Sequence, residues 1–398
     1  MSFAAGLSEH PLPPQATGEA VGQVLDALGS DAGPPDLALL FVTAAHAGAA
    51  EDVAAAVRAT LRPGTLLGCT AESVVGGARE VEQRPAVTLW AGHTGPVTPF
   101  HAQVLPTPDG NAIAGWPETD GASQAAGVLV LADPFTFPTD DVLRLESDAR
   151  PGVPVVGGLA SAAVAPGGNR LIVDDRVVHE GAVGAVLGNG VDLAAVVSQG
   201  CRPVGEPFVI TKAEGNILYE LAGRPALERL QDVARSVDGG DRQLLARGVH
   251  LGRVIDESKT TFGAGDFLIR NVLGGDPSNG AIAVGDLVDV GQTAQFQVRD
   301  AASADDELSR MLAGRLADGA LLFTCNGRGT RLFGRPDHDA EIVAEHVPHA
   351  AVAGMFCAGE VGPVGRRNYL HGFTASVALF GGPQPMVSRG RQKTGGAR

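Results

Sequence analysis

Apolar residues along this chain follow one plan that occurs three times. LALLFVT (Leu37 to Thr43) is a continuous apolar run of the kind a strand buried on both faces requires. Val53, Val57 and Leu61 follow four residues apart, on one face of a helix that Pro63-Gly64 stops, and TLLGCTAE (Thr65 to Glu72) supplies a second apolar run. The second unit runs GVLVLAD (Gly127 to Asp133), a helix with Thr139 as N-cap that carries Val142 and Leu145, a stop at Pro151-Gly152, and VPVVGGLAS (Val153 to Ser161). The third runs GALLFTCNGRG (Gly319 to Gly329), a helix from about Asp337 to Val347, a stop at Pro348, and VAGMFCAGEVG (Val352 to Gly362).

Each unit predicts a right-handed β-α-β crossover between parallel strands. Ligands of open parallel sheets gather outside the carboxyl ends of strands, so GCTAE, GGLAS and CAGEVG are the places to expect a site. Between the second and third units the pattern changes to antiparallel β. Asn169 to Gly188 predicts short strands joined at Asp174-Asp175 and Glu180-Gly181, with another strand near Leu193 to Ser198. Beyond Gly215 come a short strand, a helix after Pro225, four further strands, and a helix with Ser303 as N-cap and Leu308, Met311, Leu312 and Leu316 as its buried stripe.

The predicted fold is α/β with mixed α+β elements, in two domains built from β-α-β units with antiparallel strands between them. At 398 residues two cores are expected. The expected division is an N-terminal extension with a first helix at 1–36, domains at 37–214 and 215–382 meeting near Cys201 to Gly215, and a flexible tail at 383–398.

A net charge of −15 argues against nucleic acid as a partner, since phosphate neutralisation needs clustered Lys and Arg. Cys69, Cys201, Cys325 and Cys357 lie far apart without a CxxC pair, which excludes a disulfide framework or zinc ribbon and suits a reducing compartment. No signal peptide or membrane-spanning run is read, so a cytoplasmic location away from membranes is expected. GRGTRL (Gly327 to Leu332) lacks the third Gly of a dinucleotide fingerprint, HEGAV (His179 to Val183) lacks the second His of a zincin, and no P-loop or GxSxG occurs. No cofactor and no metal are therefore expected.

Cys69, Thr70 and Glu72 in GCTAE, and Cys357 and Glu360 in CAGE, stand at matching points of two units. A carboxylate among glycines can accept a ligand amine or pair with an Arg; a Cys there is either a small buried hydrophobe or an activated thiol. Asn326, Arg328, Gly329 and Arg331 follow a strand end, where the Arg328 guanidinium, between two glycines, can clamp a ligand carboxylate or bridge to Glu72 or Glu360. His371 is either a satisfied core histidine or the base of a nucleophilic pair with Cys357 or Cys325.

LFTCNGRGTRLFG, GMFCAGEVGPVG and LHGFTAS together resemble a C-terminal FIST domain, and LLFVTAAH, LLGCTAE, VPVVGGLAS and QGCRPVGEPFVIT resemble its N-terminal partner. The resemblance covers about Leu37 to Phe380 and implies a sensory domain pair of intracellular signal transduction that binds small molecules, amino acids being the usual suggestion. Expected partners are a small zwitterionic ligand, held by Cys69, Thr70, Glu72, Asn326, Arg328, Gly329, Cys357 and Glu360, and a separate signalling protein such as a kinase or receptor. The alternatives are a thiol-dependent enzyme using Cys357 or Cys325 with His371, and a protein-interaction scaffold.

Overall fold

The computed structural model describes residues 2–108, 110–117, 125–263 and 265–381; the expected tail at 383–398 lies outside them. The first unit comprises β1 (Phe3–Ser8), α1 (Pro13–Leu28), β2 (Leu37–Thr43), α2 (Ala50–Leu61), β3 (Thr65–Ala71), β4 (Ser73–Gly76), β5 (Arg79–Glu82) and β6 (Val87–Gly92). The second comprises β7 (Val97–Thr107), β8 (Gly110–Ala114), β9 (Gly127–Ala132), α3 (Thr139–Ala149), β10 (Val155–Leu159), β11 (Leu171–Val173), β12 (Arg176–Val178) and β13 (Ala182–Leu187). The third opens with β14 (Leu193–Ser198) and is then interrupted by β15 (Cys201–Pro203), β16 (Phe208–Glu214), β17 (Ile217–Leu221), β18 (Arg224–Pro225), α4 (Ala226–Ser236), α5 (Gly239–Arg247), β19 (His250–Val254), β20 (Phe267–Asp276), β21 (Ala281–Val284) and β22 (Thr293–Arg299). It resumes with α6 (Ala301–Leu312), β23 (Gly319–Cys325), α7 (Thr330–Phe333), α8 (His338–His346), β24 (Ala351–Cys357), β25 (Glu360–Val364), β26 (Arg367–His371) and β27 (Ala375–Phe380).

The predicted parallel pairs β2–β3, β9–β10 and β23–β24 form in all three units. What the pattern did not predict is how the units exchange hairpins. The sheets run β1-β6-β2-β3-β11-β12, then β8-β7-β13-β9-β10-β25-β26, then β14-β27-β23-β24-β4-β5. Each therefore ends in the hairpin of another unit: the second unit lends its hairpin to the first, the third to the second, and the first to the third. The exchange closes on itself, and the second and third sheets join strands from both expected domains.

Alternate residues of the three sheets meet in one central core, among them Phe41, Trp90, Leu131, Phe323, Met355 and Phe380. The opposite faces are covered by α1 and α2 on the first sheet, α3 on the second, and α6 and α8 on the third. The continuous apolar runs are thus explained by sheets buried on both faces. Gly68, Gly157 and Gly354 occupy one repeated position, where a Cβ would overlap the carbonyl oxygens of Leu40, Val130 and Leu322 on the neighbouring strands.

Within the interruption, β16-β17-β21-β20-β19-β22 close into an antiparallel barrel with its own core around Ile210, Leu251 and Phe296. Closure removes free sheet edges. The sequence boundary expected at Cys201 to Gly215 lies within the first strands of this insertion.

Three local expectations are corrected. Thr139 is not a capping residue: Pro138 stands at that position, and the buried Thr139 hydroxyl has no partner. Leu145 is exposed, and α3 turns Val142, Leu143, Glu146 and Ser147 inward, because Glu146 is held by Trp116 and Arg150. Asp300 rather than Ser303 precedes α6, and Leu316 lies beyond the end of that helix and is exposed, leaving Leu308 and Leu312 as its fully buried stripe.

Candidate functional site

The strand ends of the third unit bring together most of the C-terminal candidates. Cys325 and Cys357 are register partners at the last positions of β23 and β24. The Cys325 amide donates to the Thr374 carbonyl at 3.1 Å, and its sulfur accepts from the Gly327 amide at 3.4 Å. From there the chain turns through Asn326 to Gly329, where Gly329 has a φ of 57°.

Arg328 is not the open ligand clamp that the sequence suggested. It is wholly buried, and its Nε and Nη2 donate to Asp339 Oδ2 and Oδ1 at 2.7 and 2.8 Å, with the Phe333 ring 5.2 Å away. Two parallel charge-assisted bonds give a guanidinium the partner it needs out of water. Burial works against the Asp339 carboxylate, but Arg328, with hydrogen bonds from His338 and Thr324, outweighs it and holds that carboxyl below its ordinary range. Glu80, lent by the first unit's hairpin, accepts from the Asp339 and Ala340 amides at 3.0 and 3.1 Å and so caps α8.

Glu360 is also wholly buried. Its Oε2 accepts from the Thr374 amide and hydroxyl at 3.1 and 2.8 Å, whereas Oε1 has no partner, and burial pushes the carboxyl up to about 8. Glu72 lies at the surface beside this region and accepts from Arg331 at 2.8 Å and Gln83 at 2.5 Å. The bridge expected from Arg328 to Glu72 or Glu360 is not made, since Arg328 is taken by Asp339; Arg331 pairs with Glu72 instead. Cys69 and Thr70 serve the junction between units: Cys69 Sγ lies 3.1 Å from Met355 Sδ, and Thr70 Oγ1 accepts from the Arg170 amide at 2.9 Å.

The thiol alternative loses its chemical basis. Burial pushes Cys201 and Cys325 up to about 12, and Cys69 and Cys357 also rise, so none is poised as a thiolate. His371 is buried, faces the Gly362 carbonyl at 3.0 Å and is pushed down to about 4 by burial, while Cys357 Sγ lies 3.7 Å from the Met355 carbonyl. No hydrogen bond joins Cys357 or Cys325 to His371 among the described residues.

The barrel contributes the facing wall. Cys201 pairs with Arg299 and His250 with Gln297, so these four side chains share one face of the barrel sheet. His250 meets the Phe373 ring edge to face at 4.5 Å, and the Arg299 guanidinium lies over the same ring at 4.6 Å. Arg299 Nη2 donates to the Gly327 carbonyl at 2.5 Å, but no carboxylate pairs with Arg299 among the described residues, and burial lowers its affinity for its proton. Burial also pushes His250 down to about 4, leaving a neutral imidazole near pH 7.

Six of the twelve buried side-chain polar atoms without partners among the described residues belong to these walls. His250 Nδ1, Gln297 Nε2 and Arg299 Nε stand on the barrel side; Asn326 Oδ1, Arg328 Nη1 and Glu360 Oε1 stand on the other. A cavity of about 710 Å³ is lined by Arg247, His250, Asn271, Arg299, Arg331 and Phe373 among others, and of the six residues that carry the partnerless atoms only His250 and Arg299 border it. The matching strand end of the second unit is self-satisfied, since Asp133 accepts from Asn169, the Phe135 amide and Thr136. At the end of β2, Thr43 Oγ1 is engaged with both the amide and carbonyl of Ala86.

His250, Gln297, Arg299 and Phe373 were not expected from the sequence. The available signal was TAQFQVR (Thr293 to Arg299), in which Ala294, Phe296 and Val298 alternate with Gln295, Gln297 and Arg299. Such alternation marks a polar face without saying that it will be buried. No group of three or more His, Cys, Asp or Glu side chains suited to a metal ion occurs among the described residues, and none of their helices is long and apolar enough to cross a membrane.

Comparison with known proteins adds the family. The FIST N domain matches residues 36–224 and the FIST C domain residues 226–363, and the boundary between them falls inside the barrel insertion. A protein of Mycobacterium tuberculosis described as uncharacterized is 42% identical over 386 residues, which is 96% of this chain and 100% of that protein. Another, from Mycobacterium bovis and also described as uncharacterized, is 43% identical over 387 residues, 96% of this chain and 99% of its own. The chain belongs to the FIST family, whose domains are associated with sensing in signal transduction.

Proposed function

From this FIST membership, we propose that the protein is a sensor that binds a small zwitterionic metabolite, of the amino acid class, between the third unit and the barrel. The single observation that supports it most is that six of the twelve buried, partnerless side-chain atoms among the described residues belong to residues of the two facing walls. Leaving such groups unpaired is costly, so they mark a place where a polar ligand recovers hydrogen bonds. Arg299, which has no carboxylate partner, takes the ligand carboxylate. Asn326 Oδ1 supplies an acceptor for its amine, and the Glu360 carboxyl, protonated near neutral pH, offers a hydrogen-bond donor at Oε1. Arg328 acts one step behind, holding the Asn326–Gly329 turn against α8 through Asp339.

A ligand that touches both walls links the barrel to the three-unit body, which is the kind of change a separate kinase or receptor can detect. The test is a thermal-shift screen of amino acids and small carboxylic acids against wild type and Arg299→Ala. A binder present at a hundred times its dissociation constant stabilises by about 2.7 kcal/mol. The proposal predicts at least one compound that shifts wild type and not Arg299→Ala. If no compound at millimolar concentration separates the two proteins, the proposal is wrong.

A further inference from the structure

The barrel is joined to the rest of the chain through a single two-strand stalk. The chain enters it at β15 and leaves it at β22, and these strands are register partners, with Cys201 opposite Arg299. On the body side the backbone is fixed: Glu307 Oε2 accepts from the Ser198 hydroxyl at 3.0 Å and from the Gln199 and Gly200 amides at 2.7 and 3.2 Å. Gly200 then turns the chain at a φ of 66°, which favours glycine, and a Cβ there would lie 2.5 Å from Arg328 Nη1 and 2.8 Å from the Phe373 carbonyl oxygen. Because the barrel carries its own core, it can swing as a unit about that point.

Two contacts away from the stalk hold the barrel against the body. Phe373 packs into a cluster otherwise built from the barrel, around Cys201, Phe267 and Ile269. It does so at a φ of 66°, a conformation that a bulky residue keeps only where its surroundings impose it. On β20, Arg270 reaches the second sheet and its helix: Nη1 donates to the Leu370 carbonyl of β26 at 3.0 Å and Nη2 lies 3.6 Å from Asp140 of α3, while Nε stays with Asp286 of the barrel at 2.8 Å. The pairs Arg253–Asp286, Arg202–Asp241 and Lys259–Asp266, by contrast, close within the barrel. We infer that the barrel is a lid over the proposed site, hinged at Gly200 and latched by Arg270. What the lid covers rests on the sensor reading above; the lid itself adds how that site is regulated, since closing builds its two walls and opening separates them. Arg270 is not among the residues lining the cavity, so it acts as a positioning residue.

Three buried cysteines report lid motion without a ligand: Cys201 lies in the barrel cluster that Phe373 enters, whereas Cys69 and Cys357 lie in the central core. Labelling of the folded full chain with N-ethylmaleimide, read peptide by peptide in a mass spectrometer, compares wild type with Arg270→Ala and with Asp140→Asn, the milder change because Asp140 is the more exposed partner. The expected result is labelling of Cys201 at least tenfold faster in Arg270→Ala and at least twofold faster in Asp140→Asn, with Cys69 and Cys357 within twofold of wild type, as local opening without global unfolding requires. A Cys201 rate that Arg270→Ala leaves unchanged overturns the lid. If Arg270→Ala unfolds, so that the core cysteines accelerate with Cys201, Asp140→Asn decides: a rise confined to Cys201 supports the lid, and no rise, or one shared with the core cysteines, overturns it. Since no ligand enters, the lid can fail while the thermal-shift screen succeeds, and the screen can fail while the lid stands.

Discussion

Cys69 and Met355, rather than Cys69 and Cys357 as the sequence suggested, stand at the same position of the first and third units, and their sulfur atoms lie 3.1 Å apart in the central core. Each directly follows one of the repeated glycines, Gly68 and Gly354, while the residue after the second unit's Gly157 is Gly158, against which Cys357 Sγ packs. The three crossover strands therefore converge through small or soft side chains, and the hairpin exchange holds them there.

Substituting Ala at Gly68, Gly157 or Gly354 places a methyl group against a neighbouring strand's carbonyl oxygen. Overpacking of this kind costs about 1–3 kcal/mol or more, and here backbone rather than a flexible side chain must yield. Each variant is expected to lower the urea midpoint strongly or to be recovered only as insoluble protein. Gly18→Ala, in α1 with open space at the Cβ position, is the control and should raise stability by up to about 1 kcal/mol.

Arg328→Ala and Asp339→Ala each leave one buried charge without its partner. Breaking a buried pair from one side costs about 3–5 kcal/mol, whereas replacing both partners with apolar residues of similar volume is often far milder. Chemical denaturation of Arg328→Met, of Asp339→Leu and of the variant carrying both should show a double loss well below the sum of the two single losses. Additive losses would mean that the pair is not acting as a unit.

Stability should fall as pH rises from 6.5 to 8.5. Glu360 is pushed up to about 8 by burial, against 4.5 for an ordinary glutamate, so between those values the native state holds a proton that the unfolded chain has lost. That contribution is complete below 4.5 and is gone above about 8. Glu80, raised to about 8 chiefly by burial and then by Asp339, acts in the same direction. His250 and His371, pushed down to about 4, work oppositely but only below 6.5. Melting temperatures across this range should slope downward in wild type and less steeply in Glu360→Gln.

Native cysteines should resist alkylation. With Cys201 and Cys325 near 12 and Cys69 and Cys357 also raised, iodoacetamide at pH 7 should modify essentially none of the four within an hour and all of them in urea. Fast labelling of Cys325, the most exposed of them, would revive the thiol-enzyme alternative.

The three β-α-β units were legible because strands buried on both faces must be continuously apolar and the helices between them must show one apolar stripe, and both constraints are local. Glu360 and Glu72 drew notice for a related reason, since a carboxylate near glycines has no packing role to explain it, but the arginine expected to meet them, Arg328, pairs with Asp339. Arg328 misled because its partner Asp339 sits at the start of a helix 11 residues on, where an acidic residue looks like ordinary helix-start chemistry. Arg299, His250 and Gln297 were invisible because each occupies the polar face of a strand that on its own would meet water.

Local pattern thus determined the units, the crossover direction and the Gly-rich strand ends, since hydrophobic periodicity and turn chemistry act within a few residues. Tertiary structure alone decided which sheet received each hairpin and which polar face was buried against which strand end. Those outcomes depend on pairings such as Val75 with Gly354 and His250 with Gln297, between segments far apart in the chain, whose side chains encode their own conformation but not their partner.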